Sequence, residues 1–291
     1  MSGIRKNACT DAIIKTLSYS GVFGYPLTFY QLTSTLITKQ RFTPKKIRKE
    51  LNRLVEYGVV RKIKGKYMLR GVRYHNTEKR IKISKGIIEK NKATVMLLTK
   101  IPWIKMIAIT GSVANQDAAE GSDLDLLFIT EKNRLWICRG FVFLILKIAG
   151  KLPKNQKERD ICPNIFIDER KLSWAKKKRN LYVAQNIISM QPLIWRDDIY
   201  FDFIKSNKWI SKYFTNFKIK SPTKKQKKRK SKENPFMNAI ENIARKAQIN
   251  YMKEAITTEV VDSKLIHFNK NDSSNNILIK YKALLKKTKR Y

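Results

Sequence analysis

The sequence has few cysteines. Cys9, Cys138 and Cys162 lie far apart and form no Cys-x-x-Cys pair. We therefore expect neither a disulfide framework nor a zinc site, and the pattern is typical of a reduced, cytoplasmic protein. The first residues, MSGIRKNACTD, contain no apolar stretch of the kind found in signal peptides, which agrees with that expectation.

Long apolar runs are also missing. The longest is residues 141–146. Lys147 ends it, and the apolar pattern continues to Gly150 only beyond that charge. The run is too short to cross a bilayer. We therefore expect a buried helix segment at this position, and no membrane partner.

Acidic residues are scarce, since 23 Asp and Glu stand against 62 Lys and Arg and the formal net charge is +39. This balance favours a polyanionic partner such as nucleic acid, an anionic membrane face or a phosphate-rich substrate. The alternative is that lysine is abundant through coding bias and its charge is spread over a solvated surface. Hydrophobic residues form 43% of the chain, enough for an ordinary packed core.

Residues 1–75 show the pattern of three helices followed by a hairpin. Thr28 is placed to cap the second helix, and Thr43-Pro44, a cap followed by proline, begins the third. Gly58 ends that helix, and two short strand patterns then flank a Lys64-Gly65 tip. This order resembles the winged helix-turn-helix family.

In winged helices the third helix can enter the major groove of DNA. The resemblance therefore implies contact with nucleic acid, although many winged helices serve only as protein–protein modules. The basic residues that would make this contact are Lys45, Lys46, Lys49 and Arg53.

The middle of the chain contains the stretch ITGSVANQDAAEGSDLDLLFIT, which reads as strand, turn, short helix and strand. Asp123 and Asp125 alternate onto one face of the second strand, about 6.5–7 Å apart. Carboxylates at this spacing can bind a pair of divalent ions, and Mg²⁺ suits them. Gly111 lets the backbone approach a ligand closely, and Ser112 is expected to cap a helix whose first amides can bind an anion. These features together predict phosphoryl or nucleotidyl transfer.

This stretch resembles the nucleotidyltransferase superfamily of DNA polymerase β, whose mark, hG[GS] and then [DE]h[DE]h, stands here as ITGS and DLDLL. The resemblance implies an α+β fold with a small mixed sheet and flanking helices. It also implies an enzyme that moves a nucleoside monophosphate from an NTP, with ATP as the expected donor, to an acceptor (RNA, small molecule or protein) that the sequence does not identify. The alternative is an incidental Asp-x-Asp pair on the surface.

The same resemblance assigns roles to single residues. Asp123 and Asp125 would bind Mg²⁺ or Mn²⁺, and Gly111 and Ser112 would hold the triphosphate. Arg134 and Arg139, on the helix that follows, either reach the triphosphate or are charges on the helix surface. A looser likeness to standalone prokaryotic nucleotidyltransferase-domain proteins covers residues 10–285.

Members of the superfamily usually carry a third carboxylate on a later strand, where it helps to activate the acceptor. In the predicted strand ICPNIFID, Asn164 holds the central position and Asp168 the far end, while Asp160 comes just before the strand. We prefer Asp168 as the third metal ligand and catalytic residue. If Asn164 stands in this position instead, proton abstraction is weakened. The alternative function is then a winged-helix DNA-binding regulator whose transferase-like domain senses nucleotide.

The predicted organisation has five parts. After the winged helix come a nucleotidyltransferase-like domain, a helical extension, a basic linker and a C-terminal helical segment, at residues 76–172, 173–220, 221–234 and 235–291. The linker has seven basic residues within 224–232. It either adds contacts to nucleic-acid phosphates or is simply solvated. The oligomeric state cannot be inferred from the sequence.

Overall fold

The structure, a computed structural model, describes residues 7–152, 161–218, 234–252, 260–262, 264–267 and 273–288. The helices in this part of the chain are α1 (Ala8–Gly21), α2 (Phe29–Ser34), α3 (Pro44–Glu56), α4 (Thr77–Leu98), α5 (Gly111–Ala114), α6 (Leu135–Ile148), α7 (Leu181–Ser189), α8 (Ile199–Ser206), α9 (Pro235–Met252) and α10 (Ser273–Thr288). The strands are β1 (Val60–Ile63), β2 (Lys66–Leu69), β3 (Ile104–Ile109), β4 (Leu124–Thr130), β5 (Ile161–Asp168), β6 (Gln191–Trp195), β7 (Val260–Asp262) and β8 (Leu265–His267). Short 3₁₀ turns occupy Glu169–Lys171, Lys176–Lys178 and Lys208–Lys212.

The N-terminal unit, residues 7–75, has the predicted order of three helices and a hairpin. Thr28 and Thr43 accept hydrogen bonds from backbone amides and cap α2 and α3, and Pro44 is the first residue of α3, as predicted. Lys64 and Gly65, both with positive φ, form the tip between β1 and β2. Apolar residues of all three helices and the hairpin share one core. Membership of the winged-helix family itself stays a prediction.

A six-stranded mixed sheet forms the centre of the molecule, in the order β6-β3-β4-β5-β8-β7. β4 and β5 are parallel, and the other neighbours are antiparallel. The expected α+β class, a small mixed sheet with flanking helices, is confirmed. β5 coincides with the predicted strand.

The sheet has a core on each face, because its central strands alternate. On β4, Leu127 and Ile129 pack with α7 and α8, whereas Leu126 and Phe128 pack with α4 and α6. By the same alternation Asp125 belongs to the face of α7 and α8. α9 contacts α6, and α10 contacts α1 and α7.

Three strands were not predicted from the sequence. β6 carries Pro192 and lies at the edge of the sheet, where a missing amide costs little. β7 and β8 have three residues each, so they are too short for alternation to be visible. Within the described ranges, no helix is long and apolar enough to cross a membrane. Asp160 and residues 221–233 of the predicted basic linker lie outside these ranges.

Candidate active site

The Gly-Ser turn lies beside the start of β4. The amide of Thr110, just after β3, donates to the carbonyl of Asp125 at 2.9 Å. Gly111 follows with φ of +67° and is the first residue of α5. The predicted capping role of Ser112 is wrong, because Thr110 is the residue before the helix and Ser112 is inside its first turn. Its amide is therefore among those that have no partner within the helix.

Gly111 and Asp125 are in direct contact. A Cβ atom built on Gly111 would overlap with Oδ2 of Asp125. The positive φ at position 111 already favours glycine. The Asp125 carboxylate favours it as well, because it occupies the space that a Cβ atom would need. The two motifs that the sequence places about ten residues apart therefore form one site.

Asp123 and Asp125 crowd each other at the start of β4. The pKa of Asp125 is raised to about 7, first by burial and then by the negative charge of Asp123, while a hydrogen bond from Asn164 opposes both effects. A carboxylate that is buried beside a second acid is stabilised in its charged form when a cation binds next to it. Mg²⁺ is typically held by one or two carboxylates together with substrate phosphates. Asp123 and Asp125 fit that ligand set, although the described residues contain no group of three or more acidic, His or Cys side chains suited to a metal.

Asn164 reaches Asp125 through an irregularity in β5. Leu126 pairs with Pro163 and Leu127 with Ile165, so Asn164 is the extra residue between two pairs. A bulge of this kind redirects a side chain, and Nδ2 of Asn164 donates to Oδ1 of Asp125 at 2.5 Å. Sγ of Cys162 in turn donates to Oδ1 of Asn164 at 2.9 Å. An amide therefore stands beside the acidic pair where the superfamily resemblance implies a third carboxylate.

Residues 95–188 match the family model described as Nucleotidyltransferase domain. Over this third of its length the chain is similar to nucleotidyltransferase domains. The match runs from the end of α4 to α7 and includes the Gly-Ser turn, the Asp pair and Asn164. It confirms the resemblance to the polymerase β-like superfamily. No curated protein and no solved structure matches the chain.

Asp168, also within the matched segment, lies at the other end of β5. It pairs with Thr130, the last residue of β4, whereas Asp125 is the second. Its buried carboxylate accepts hydrogen bonds from the Arg170 side chain at 2.7 and 2.8 Å and from the backbone amides of Asn133 and Arg170. The structure therefore does not bring Asp168 to the Asp pair, because five residues of strand separate the two ends by about 16 Å.

Arg134 and Arg139 of the same segment are directed toward α9. Arg134 donates to Asn238 at 2.8 Å, and Arg139 donates to Gln248 at 2.5 Å and lies over the ring of Phe143. Both side chains are buried. Neither is placed at the Gly-Ser turn, so their observed contacts hold α9 against α6.

The predicted nucleic-acid residues lie outside the matched segment, on α3. Lys45, Lys46 and Lys49 are exposed. Arg53 is half-buried and forms an ion pair with Glu50 at 2.9 Å. Three of the four are thus available to a polyanion, and their role stays a prediction.

Proposed function

We propose that the protein is an Mg²⁺- or Mn²⁺-dependent nucleotidyltransferase that moves a nucleoside monophosphate from an NTP, with ATP as the expected donor, to an acceptor hydroxyl. The observation that carries the proposal is the contact between Gly111 and the carboxylate of Asp125. This contact supports the proposal because the turn that we expect to bind phosphate lies against the carboxylate that we expect to bind the metal. Nucleotidyl transfer requires this combination, because positioning and charge neutralisation supply most of its rate.

Each residue has a separate task. The amides of Gly111 and Ser112 bind the β- and γ-phosphates, while Asp123 and Asp125 hold the divalent ion. When bound, the ion neutralises charge on the phosphates and lowers the pKa of the attacking hydroxyl. The acceptor oxygen forms a bond to the α-phosphorus, the bond from that phosphorus to the bridging oxygen breaks, and pyrophosphate leaves. The hydroxyl proton passes to solvent, since Asn164 cannot accept it.

A second function is favoured by Asn164 and by the exposed lysines of α3. Without a third carboxylate beside the Asp pair, transfer is slow, and the domain would sense nucleotide for a DNA-binding regulator. In that case the protein binds an NTP and duplex DNA but turns over little substrate.

The first function is tested by incubating the full chain with labelled ATP, GTP, CTP or UTP, Mg²⁺, and candidate RNA, small-molecule and protein acceptors. We expect label transfer that falls at least about 100-fold in Asp125→Asn, which removes charge from the transition state. Glu120→Gln is the matched control, because Glu120 is an exposed acid in the loop before β4. Transfer that survives in Asp125→Asn contradicts the proposal.

Asn164→Asp distinguishes the two functions. If the protein is an enzyme limited by its missing carboxylate, this variant transfers label about tenfold faster or more. Asn164→Ala, which removes the hydrogen bond to Asp125 without adding an acid, should give no such gain. Sequence-specific duplex binding by the wild type without turnover, together with turnover in Asn164→Asp, would favour the regulator.

A further inference from the structure

A cavity of about 730 Å³ opens beside the Gly-Ser turn. Gly111 and Ser112 form part of its wall, and the N-terminal unit supplies another part through Tyr25 and Gln31. α7 contributes Asn186. The N-terminal unit therefore helps to enclose a space that begins at the phosphate-binding turn. Its volume lies within the usual range for a small-molecule site.

The lining of this cavity is unlike the rest of the protein. Although 62 of the 291 residues are Lys or Arg, neither type occurs among the described residues that line it. Carboxamides, hydroxyls and aromatic rings predominate, with Asp117 as the acid. Such a surface suits an uncharged aromatic group with hydrogen-bonding edges, and its described lining offers no Lys or Arg to a phosphate.

We propose that this cavity is the nucleoside subsite of the NTP and that the N-terminal unit forms its wall. The inference rests on the proposed function, which puts the β- and γ-phosphates at Gly111 and Ser112. In phosphoryl transfer the attacking and leaving oxygens lie roughly in line on opposite sides of the phosphorus. The acceptor therefore enters on the side away from Gly111 and Ser112, and the cavity beside them is left for the nucleoside.

Gln31 and Tyr25 are held in place for recognition of the base. The Gln31 side chain accepts a hydrogen bond from the amide of Thr28 at 2.9 Å and donates to the Tyr25 hydroxyl at 3.3 Å. Because the Tyr25 oxygen accepts from Gln31, its own hydrogen is available for a different acceptor. Rigid polar groups of this kind discriminate between bases through their hydrogen-bonding edges.

The test is calorimetric titration of the full chain, in Mg²⁺, with each of the four NTPs and with inorganic triphosphate. We expect at least one NTP to bind ten times or more tighter than inorganic triphosphate. Asn186→Leu, at a half-buried helical position, should weaken that NTP about tenfold and leave inorganic triphosphate unchanged, which also shows that the variant is folded. Gln185→Leu is a second variant on the same wall. Asn52→Leu, at an exposed position of α3, is the control.

Three results would overturn the inference. If NTPs and inorganic triphosphate bind the wild type equally and both cavity variants leave them unchanged, the cavity is not the nucleoside subsite, while the proposed function stands. If the cavity variants reduce transfer without changing NTP affinity, the cavity takes the acceptor. If the wild type binds neither NTP nor triphosphate, the proposed function fails as well.

Discussion

Acidic residues lie at both ends of the β4–β5 pair, in opposite electrostatic settings. At one end Asp168 is bound by the Arg170 guanidinium. Close by, Lys105 forms ion pairs with Glu169 at 2.7 Å and Asp197 at 3.2 Å. At the other end the pKa of Asp125 is raised by burial and by Asp123. The first arrangement stabilises the fold, whereas the second opposes ionisation, as is common at functional sites.

The comparison shows that the partners of an acid, more than its position on a strand, indicate its role. Asp168 and Asp125 both lie on central strands of one sheet. The cation that Asp168 needs is part of the chain, two residues further on. We propose that the cation that neutralises Asp125 is instead a bound metal ion. Substitutions at the two ends should therefore have opposite consequences for stability and for activity.

The largest effect on stability is expected for substitution of Asp168, at the end of the β4–β5 pair where Arg170 binds the acid. Asp168→Asn removes the charge that Arg170 faces and places an amide donor against other donors. We expect the free energy of unfolding to fall by about 3 kcal/mol, while transfer per folded molecule stays unchanged. Urea denaturation and label transfer, measured on the same preparation, check both parts.

Glu78→Gln is the control for Asp168→Asn. It breaks an ion pair with Lys64 whose side chains are 65% and 67% exposed, so we expect little change in the free energy of unfolding. Loss of transfer in folded Asp168→Asn would mean that the acid takes part in the chemistry. It would also remove the contrast between the two ends.

A smaller effect on stability is expected at the Gly-Ser turn, together with a loss of activity. Gly111→Ala requires positive φ in a residue with a Cβ, which costs about 1–2 kcal/mol. The Cβ also displaces the carboxylate of Asp125, and misplacement by about 1 Å can reduce the rate about 100-fold. Denaturation and label transfer measure the two parts.

Gly121→Ala separates the cost of positive φ from the displacement of the Asp125 carboxylate. Gly121 has φ of +78°, and a Cβ there meets no described atom within 4 Å. It should lose similar stability but retain transfer and NTP binding. Equal activity in the two alanine variants would show that contact with Asp125 is not needed.

Local patterns in the sequence were enough to predict the Gly-Ser turn, the Asp pair and β5. Each depends on residues close together in the chain, whether through alternation, a glycine at a turn or a cap at Thr43. The environment of Asp168 was not predictable in this way. A guanidinium two residues along is visible in the sequence, but its orientation toward Asp168 depends on the turn that follows β5.

The contact between Asn164 and Asp125 depends on a bulge, and regular alternation cannot locate one. Asn164 would otherwise share the face of Phe166, which packs with α4 and α6. Pro163 is a signal that could have indicated the bulge, because proline in a central strand is found mainly at such irregularities. The cavity wall was even less predictable from the sequence, because Gln31, Ser112 and Asn186 come from segments that only the tertiary fold brings together.

The last expected effect is on the pH dependence of stability. The pKa of Asp125 is raised from its ordinary value of 3.8 to about 7 in the folded protein, so the folded state holds a proton that the unfolded chain releases. The contribution of Asp125 to stability is therefore complete below about pH 4 and is lost as the pH rises through about 7. Thermal unfolding in a chelating buffer should show Tm decreasing over this range. Asp125→Asn should reduce the decrease, and Mg²⁺ should reverse it at pH 8. A Tm of the wild type that is insensitive to Mg²⁺ at pH 8 would mean that the crowded acids are not a cation site, and the contrast with Asp168 would then need another cause.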